Sequence, residues 1–314
     1  MPENDTDRSP AGHSRRSGIL LVDKPAGFTS HDAVARTRRL AGTRKVGHAG
    51  TLDPMATGLL VLGVNSSTRL LTYLVGLDKE YFATIRLGAS TTTDDAEGER
   101  IATAAPEAVA AITTDQLEQQ LARLTGPIQQ VPSSVSAIKV DGKRAYARVR
   151  AGESFALRAR AVTVSAFELL TQRGEPGHLD LEVRVECSSG TYIRALARDL
   201  GAALGVGGHL VALRRTRIGP FGIADAAPLA DLDPAASLID PAVVATTLFP
   251  ALTLNAGQVI DLMHGKKIEV GRRGDAAETP IAALAPDGTL VGLVTVVDTT
   301  AKPLVNFPSD EVLP

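Results

Sequence analysis

Residues 178–187 carry the pattern that most restricts the fold, because apolar and polar side chains alternate there without interruption. The apolar positions are Leu179, Leu181, Val183, Val185 and Cys187. The polar positions between them are Asp180, Glu182, Arg184 and Glu186. Successive side chains of a strand point to opposite faces of a sheet, so this run predicts a β-strand with one buried face. An apolar pattern of helical spacing follows residues 188–191 and predicts a helix from about residue 193 to Gly205.

Shorter periodic segments predict further strands and helices. The other predicted strands cover residues 18–23, 79–88, 281–284 and 290–297, and residues 59–64 are expected to form a buried strand or a short helix. The other predicted helices cover residues 31–40, capped by Thr29 or Ser30, residues 114–124, and a short segment capped by Asn255. Residues 221–247 are rich in Ala, Pro and Asp and are interpreted as a connector.

Residues 45–58 combine several glycines with His48, Asp53 and Pro54. The glycines, and the Asp53-Pro54 step that disfavours helix, predict a loop. A buried strand or short helix is expected directly after it, which would give a reactive side chain in the loop a rigid support. Taken alone, Asp53 is a common turn residue and His48 a common hydrogen-bonded loop residue.

The bulk composition excludes several classes of protein. The single cysteine, Cys187, rules out an internal disulfide and fits a reducing cytoplasm. No apolar run approaches the roughly 18 residues of a membrane span, and no His, Cys or carboxylate falls at a metal-binding spacing. Residues 1–17 are polar and lack periodicity, which predicts a disordered tail rather than a secretion signal.

The net charge of −2 is unevenly distributed. Residues 221–314 contain five basic and twelve acidic side chains, so the preceding part of the chain carries a net positive charge. Clustered Lys and Arg, rather than net charge, let an acidic protein bind nucleic acid. The first cluster is Arg36, Arg38, Arg39, Arg44 and Lys45. The second, around an expected Asp141-Gly142 turn, is Lys139, Lys143, Arg144, Arg148 and Arg150 with Tyr146, and the third is Arg214, Arg215 and Arg217.

The segment from Gly47 to Gly58 matches every fixed position of the pattern Gly-His-x-Gly-x-Leu-Asp-Pro-x-Ala-x-Gly. The chain therefore resembles the tRNA pseudouridine-55 synthases, the TruB family. Three other motifs of that family are present: Lys-Pro-x-Gly-x-Thr-Ser at 24–30, Lys-x-Tyr at 79–81 and Gly-Thr-Tyr-Ile-Arg at 190–194. Ser133 and Val135 depart from the family, which often has a second proline and an aromatic residue there.

The resemblance implies an α+β protein with the pseudouridine synthase fold. In this fold a mixed, largely antiparallel sheet with flanking helices surrounds a central cleft, and a small C-terminal β-rich PUA-like domain follows. We expect the catalytic domain at residues 18–247, with an RNA-gripping insertion at 128–152, and the C-terminal domain at 248–314.

The same resemblance implies roles for individual residues. Asp53 corresponds to the catalytic nucleophile, Tyr81 to the ring that packs against the target base, and Arg194 to the arginine that pairs with the catalytic carboxylate. The expected substrate-binding residues are His48, Tyr192, Lys24, Lys139, Lys143, Arg144 and Tyr146.

The implied reaction is isomerisation of uridine 55 in the TΨC stem-loop of tRNA, in the cytoplasm, by a monomer without metal or cofactor. Two alternatives remain open. One is a non-catalytic tRNA-folding or RNA-binding protein with the same fold. The other is a guide-RNA-dependent pseudouridylase of the dyskerin type, although the basic insertion favours an enzyme that grips RNA by itself.

Overall fold

A computed structural model describes residues 16–133, 157–271 and 279–307, together with the backbone of 139–140 and 143–144. Most of the expected disordered tail lies outside the described residues. The chain divides into two compact units. The first unit is Met1–Leu52, Leu60–Val75 and Ala224–Pro314, and the second is Asp53–Leu59 and Gly76–Ile223. The domain limits expected from the sequence stay a prediction.

The described strands of the first half of the chain are β1 (Gly18–Lys24), β2 (Val46–Ala49), β3 (Thr57–Val64), β4 (Lys79–Leu87), β5 (Ala89–Thr91), β6 (Arg100–Thr103), β7 (Gly126–Gln130), β8 (Lys139–Val140) and β9 (Lys143–Arg144). Those of the second half are β10 (Arg160–Glu175), β11 (His178–Cys187), β12 (Gly208–Ile218), β13 (Phe221–Gly222), β14 (Ala227–Pro228), β15 (Ala251–Thr253), β16 (Ile268–Glu269), β17 (Ile281–Leu284), β18 (Leu290–Val297) and β19 (Thr300–Asn306). The described α-helices are α1 (Ser30–Leu40), α2 (Leu71–Val75), α3 (Pro106–Ala110), α4 (Thr114–Arg123), α5 (Ile193–Ala203), α6 (Pro234–Ser237), α7 (Pro241–Leu248) and α8 (Ala256–Met263).

The second unit is built on a mixed, largely antiparallel sheet with the strand order β12-β4-β11-β10-β7. The start of β3 joins this sheet by parallel pairing of Thr57 and Gly58 with β12. Strand β11 confirms the strand predicted from the alternating pattern, and Leu181, Val183 and Val185 are buried. Asp180, expected on the polar face, is also buried, because the guanidinium of Arg86 covers it with two hydrogen bonds of 2.7 Å.

Strands β10 and β12 were not predicted from the sequence. Register shifts interrupt β10 between Val164 and Ala166 and again between Leu169 and Thr171. Buried positions therefore change phase along β10, and strict alternation is lost. Strand β12 is interrupted in the same way between Leu210 and Ala212.

The first unit contains β1, which pairs in parallel with β14, and β2, which pairs antiparallel with β3. Helix α1 begins as predicted, because the Thr29 hydroxyl accepts a hydrogen bond from the Asp32 N–H, and the Asp32 carboxylate accepts one from the Thr29 N–H. The expectation that all of residues 45–58 form a loop is wrong, because Val46–Ala49 form β2. A Cβ at position 47 of this strand would lie 2.9 Å from the tip of the Leu71 side chain, so a larger residue there would require that side chain to shift.

The C-terminal part of the first unit is β-rich, as predicted. Its sheet has the strand order β15-β17-β18-β19-β16, and β17 and β18 form the predicted hairpin. Asn255 caps α8 as expected. Residues 221–247 are not a bare connector, because they contain β13, β14, α6 and α7. The predicted α+β architecture is therefore confirmed, and the central cleft stays a prediction.

Candidate active site

Asp53 follows β2 in a tight turn that returns the chain into β3. The turn is closed by a hydrogen bond of 3.1 Å from the Ala56 N–H to the Asp53 carbonyl. Gly58 then adopts a φ of +103°, and a Cβ there would fall 2.8 Å from the Arg215 backbone nitrogen and closer still to its carbonyl oxygen. Only glycine allows β3 to approach β12 this closely. Gly58, the last glycine of the motif, therefore determines how closely the segment after the Asp53 turn packs against β12.

The carboxylate of Asp53 forms an ion pair with Arg194, as the sequence predicted. The distance from Arg194 Nε to Asp53 Oδ2 is 2.9 Å. The Arg194 side chain is 6% exposed, whereas that of Asp53 is 35% exposed. The guanidinium is thus enclosed by protein, and the carboxylate keeps an accessible edge.

Arg194 also binds a second carboxylate, which the sequence analysis did not assign. Its Nη1 lies 3.2 Å from Asp95 Oδ2 and donates a hydrogen bond of 2.9 Å to the Thr93 carbonyl. Asp95 is buried, with a side chain that is 5% exposed. The Thr-x-Asp-x-x-Gly pattern at residues 93–98 is the sequence feature that could have indicated Asp95 as a partner of Arg194.

The loop that carries Asp95 is held by its own hydrogen bonds. The Thr91 hydroxyl donates to the Asp95 carbonyl at 2.7 Å, and the Glu97 N–H donates to Asp95 Oδ1 at 3.1 Å. Asp94 has a φ of +60°, a conformation that few residues other than glycine, asparagine and aspartate adopt. This backbone turn directs the Thr93 carbonyl and the Asp95 carboxylate toward the same guanidinium.

Tyr81 lies on β4 opposite Arg215 of β12, and both side chains are buried. Burial raises the pKa of the Tyr81 phenol, while the charge of Arg215 and a hydrogen bond from it oppose the shift. The phenol therefore stays protonated at neutral pH. The negative charge of Asp53 contributes to the same upward shift, which places Tyr81 in the electrostatic neighbourhood of the carboxylate.

Arg215 is therefore a buried structural residue and not part of a phosphate-binding surface. It is 1% exposed, and its Nε donates to the Leu59 carbonyl at 2.8 Å. Arg217 of the same predicted cluster pairs with Asp78 at 2.8 Å. Arg215 is therefore not available to phosphates, and RNA contact by Arg214 and Arg217 stays a prediction.

Lys79 and Cys187 are neighbours on β4 and β11 beside this region. Burial, with a contribution from the charge of Arg215, lowers the pKa of Lys79 to about 8. Its ammonium donates a hydrogen bond of 2.6 Å to the Leu77 carbonyl. Burial raises the pKa of the Cys187 thiol to about 11, which fits its predicted role as a small core residue.

Tyr192 occupies the N-cap position of α5 and makes no side-chain capping hydrogen bond. The backbone of Tyr192 is instead bound by the side-chain amide of Gln130. The amide oxygen of Gln130 accepts a hydrogen bond of 2.8 Å from the Tyr192 N–H, and its amide nitrogen donates one of 3.1 Å to the Tyr192 carbonyl. Gln130 is 1% exposed, and no sequence motif assigns it a role. Arg194 lies two residues further along, in the first turn of α5.

His48 and Lys24 belong to the first unit. His48 lies in β2 and packs edge-to-face on His31, with ring centroids 5.9 Å apart. Lys24 is fully buried, and its ammonium donates to the carbonyls of Pro25 and Phe28 at 2.9 and 2.6 Å. These contacts hold the turn after β1, and an RNA contact by either residue stays a prediction.

The expected insertion is described only in part. Lys139 in β8 pairs with Arg144 in β9, and Val140 pairs with Lys143, so the two short strands are antiparallel, while the expected Asp141-Gly142 turn lies outside the described residues. Tyr146, Arg148 and Arg150 lie outside the described residues. RNA binding by Lys139, Lys143 and Arg144 stays a prediction.

The described part of the chain contains no cluster of three or more His, Cys, Asp or Glu side chains that could hold a metal ion. Within the same residues, no helix has the length and apolar character that a membrane crossing requires.

Three family models together match most of the chain. They are the TruB family pseudouridylate synthase N-terminal domain at residues 38–193, the tRNA pseudouridylate synthase B C-terminal domain at 194–252, and the tRNA pseudouridine synthase II C-terminal domain at 249–308.

Curated relatives are similar over nearly their whole length. A protein of Leifsonia xyli subsp. xyli named tRNA pseudouridine synthase B is 64% identical over 297 residues, covering 94% of this chain and 98% of the relative. Proteins of the same name from Arthrobacter sp. and Thermobifida fusca are 54% and 51% identical, covering 94% and 92% of this chain and 98% of each relative.

Solved structures share the fold at lower identity. A chain of a Cbf5-Nop10-Gar1 complex is 26% identical with a TM-score of 0.67, covering 94% of this chain and 86% of that chain. A chain of an H/ACA RNP bound to a substrate RNA containing 2′-deoxyuridine has a TM-score of 0.68 at 24% identity, with the same coverage. On the family models and the extent of identity with its relatives, the chain belongs to the TruB family of pseudouridylate synthases.

Proposed function

We propose that the protein converts uridine 55 in the TΨC arm of tRNA to pseudouridine, with Asp53 as the nucleophile. The observation that carries this proposal is the Asp53 carboxylate, partly exposed and fixed at 2.9 Å by a buried guanidinium. It is supported by membership of the TruB family and by relatives named tRNA pseudouridine synthase B at 51–64% identity.

The reaction is an isomerisation and requires no external reactant. The bond from ribose C1′ to uracil N1 is broken, the uracil turns, and C1′ is joined to C5. C5 then loses its proton, and N1 gains one, so atoms balance. Such a reaction suits a carboxylate nucleophile that is ionised at neutral pH and is regenerated at the end of the cycle.

Arg194 would hold the nucleophile in a single orientation. Its guanidinium contacts Asp53, Asp95 and the Thr93 carbonyl, so it is fixed from several directions while it faces the reacting carboxylate. Fixed charges that need no rearrangement during the reaction are effective in catalysis. Asp95 would act through Arg194 as a positioning residue.

Tyr81 would form a wall of the pocket for the target base. Its ring is buried beside Arg215, and its phenol stays neutral, so it offers an apolar face and a hydroxyl group. Uridine 55 must leave its stack to reach Asp53, at a cost of about a few kcal/mol. An enclosed pocket would keep the detached uracil from diffusing away before it is rejoined.

RNA binding would rest on the first basic cluster and the insertion. Arg39, Arg44 and Lys45 are exposed and available to phosphates. His48 and Tyr192 would contact nucleotides next to the target. We further propose that the protein acts in the cytoplasm as a monomer. It would act without a guide RNA, because its curated relatives are named as tRNA enzymes.

The test is activity of the purified chain on unmodified tRNA transcript, with pseudouridine mapped by position. We expect product at position 55 without added RNA or cofactor. Asp53→Asn should abolish product formation while the tRNA Kd stays within about tenfold of wild type. Asp115→Asn, at an exposed position in α4, is the matched control and should be fully active.

The alternatives give different results. A non-catalytic RNA-binding protein would bind tRNA and form no pseudouridine with or without Asp53. A guide-dependent enzyme would become active only when guide RNA is supplied. Product at another position would overturn the assignment of uridine 55, and substantial turnover by Asp53→Asn would overturn the nucleophile.

A further inference from the structure

Gln130 has an unusual set of contacts for a glutamine at the end of a strand. It is the last residue of β7, is 1% exposed, and reaches a backbone 62 residues further along the chain. Its Oε1 accepts from the Tyr192 N–H at 2.8 Å, and its Nε2 donates to the Tyr192 carbonyl at 3.1 Å. A buried amide that satisfies both polar groups of one residue fixes the position of that residue.

The position of the Tyr192 backbone determines how α5 begins. Its carbonyl also accepts the hydrogen bond of 3.2 Å from the Leu196 N–H that opens α5. Arg194 lies in the first turn of this helix and has to meet three acceptors at 2.9–3.2 Å. A small rotation at the start of α5 would therefore move the guanidinium out of line with Asp53.

A second contact ties the same two segments together one helical turn further on. Arg198 of α5 donates from Nη2 to the carbonyl of Val131 at 2.7 Å, directly after Gln130. Its Nη1 lies 3.1 Å from the carboxylate of Asp94, in the loop that supplies Thr93 and Asp95. The end of β7 and the Asp95 loop are thus both bound to the helix that carries Arg194.

We propose that Gln130 is a positioning residue for the reaction: by binding the Tyr192 peptide, it sets the start of α5 and so aims Arg194 at Asp53. The proposal rests on the proposed function, because it assigns Gln130 a part in the same chemistry. Gln130 does not touch the Asp53 carboxylate and acts only through Tyr192 and α5. Its effect should therefore fall on turnover and leave tRNA binding nearly unchanged.

Two substitutions separate this role from a purely structural one. Gln130→Met keeps the length of the side chain and removes both hydrogen bonds. Gln130→Glu keeps the acceptor, and in its protonated form it also supplies a donor, so a glutamic acid reproduces both bonds of the amide. Gln119→Met, at an exposed position of α4, is the matched control.

The experiment measures kcat, tRNA Kd and melting temperature for the wild type and the three variants. We expect Gln130→Met to lower kcat by about 10- to 100-fold, as small misplacements of catalytic groups do, with Kd within about threefold. The activity of Gln130→Glu relative to wild type should rise as the pH is lowered from about 8 to about 6, because burial favours the protonated acid. Gln119→Met should match the wild type.

The outcomes are distinct. If Gln130→Met keeps kcat per folded molecule within about twofold of wild type, the proposal fails even if the melting temperature drops. If Gln130→Met does not fold, the pH profile of Gln130→Glu decides, and a constant ratio to wild type overturns the proposal. An inactive wild-type protein would overturn the proposed function and this inference with it. If the wild type is active, a negative result with the Gln130 variants overturns only the role proposed for Gln130.

Discussion

At the scale of single residues, the site is organised around one enclosed cation. Arg194 is nearly inaccessible, and its charge is balanced by Asp53 and Asp95. Enclosing a guanidinium is costly unless its donors are satisfied with good geometry. The planar group of arginine can meet several acceptors at once, whereas a lysine ammonium is a point charge on a flexible stem.

Arg194→Lys is therefore expected to lower kcat by about 100-fold or more although the charge is kept, because one ammonium cannot reach all three acceptors. Single-turnover rates on unmodified tRNA measure the effect, with tRNA Kd determined in parallel. Arg123→Lys, at an exposed site in α4, should leave kcat unchanged. Near-normal turnover by Arg194→Lys would mean that charge alone suffices and that the aligned contacts are dispensable.

The sequence identified some of these residues and not others for a physical reason. Asp53 and Arg194 lie in long motifs and could be named from the resemblance. Arg215 could not, because a buried arginine on a strand has the same local pattern as a solvated one, and only the partners across the sheet distinguish them. Gln130 has its partner 62 residues away, which no local pattern reveals.

At the scale of elements, a strand was predicted where apolar and polar residues alternate without a break, and strands were missed where register shifts interrupt that alternation. Strand β11 pairs in continuous register with β4 and was predicted from its alternation. Strands β10 and β12 contain register shifts, which change the face on which successive side chains lie. The positions of such shifts depend on the neighbouring strands, so they cannot be read from the segment alone.

The close contact between α5 and the start of β12 predicts that a side chain at position 201 destabilises the protein. Gly201 lies in α5, and a Cβ there would meet the backbone of Gly207 and Gly208, including the Gly207 carbonyl oxygen at 2.5 Å. Backbone cannot move aside as a side-chain tip can, so Gly201→Ala should destabilise the protein by about 3 kcal/mol or more. Urea unfolding measures the change.

Gly257→Ala is the matched control, because this glycine is also helical, in α8, and its Cβ would meet only Asn255 Oδ1, at 3.4 Å. Alanine is favoured over glycine in a helix by about 0.5–1 kcal/mol, so this variant should be neutral or slightly more stable. Equal effects of the two substitutions would contradict a close packing of α5 on β12.

At the scale of the whole molecule, charge is separated along the sequence. The acidic excess lies after residue 220, while the exposed arginines of the first cluster directly precede the Asp53 motif in the sequence. A net charge of −2 therefore says little about RNA binding by itself. Some cations are buried and bind carbonyl oxygens of the protein, as Lys79 and Arg215 do.

Stability should depend on pH through Lys79, whose ammonium is buried beside Arg215. Burial lowers its pKa from the ordinary 10.5 to about 8, so between these values the unfolded chain binds a proton that the folded protein does not. The free energy of unfolding therefore rises with pH in this window, by at most about 1.4 kcal/mol per pH unit. The raised pKa of Cys187, about 11, acts in the opposite direction above its ordinary 9.0, and Tyr81 does so above 10.0.

The clearest comparison is therefore between about pH 7.5 and about pH 9, where Lys79 titrates and the opposing groups have only begun to do so. Over this range the wild type should gain about 1 kcal/mol of unfolding free energy relative to Lys79→Met, because methionine has no proton to lose. Urea unfolding at each pH measures this difference, and any packing change caused by methionine adds only a constant offset. Lys302→Met, at an exposed position, should give a curve parallel to wild type. A parallel curve for Lys79→Met as well would mean that Lys79 keeps its ordinary pKa, and that its ammonium is more hydrated than its burial implies.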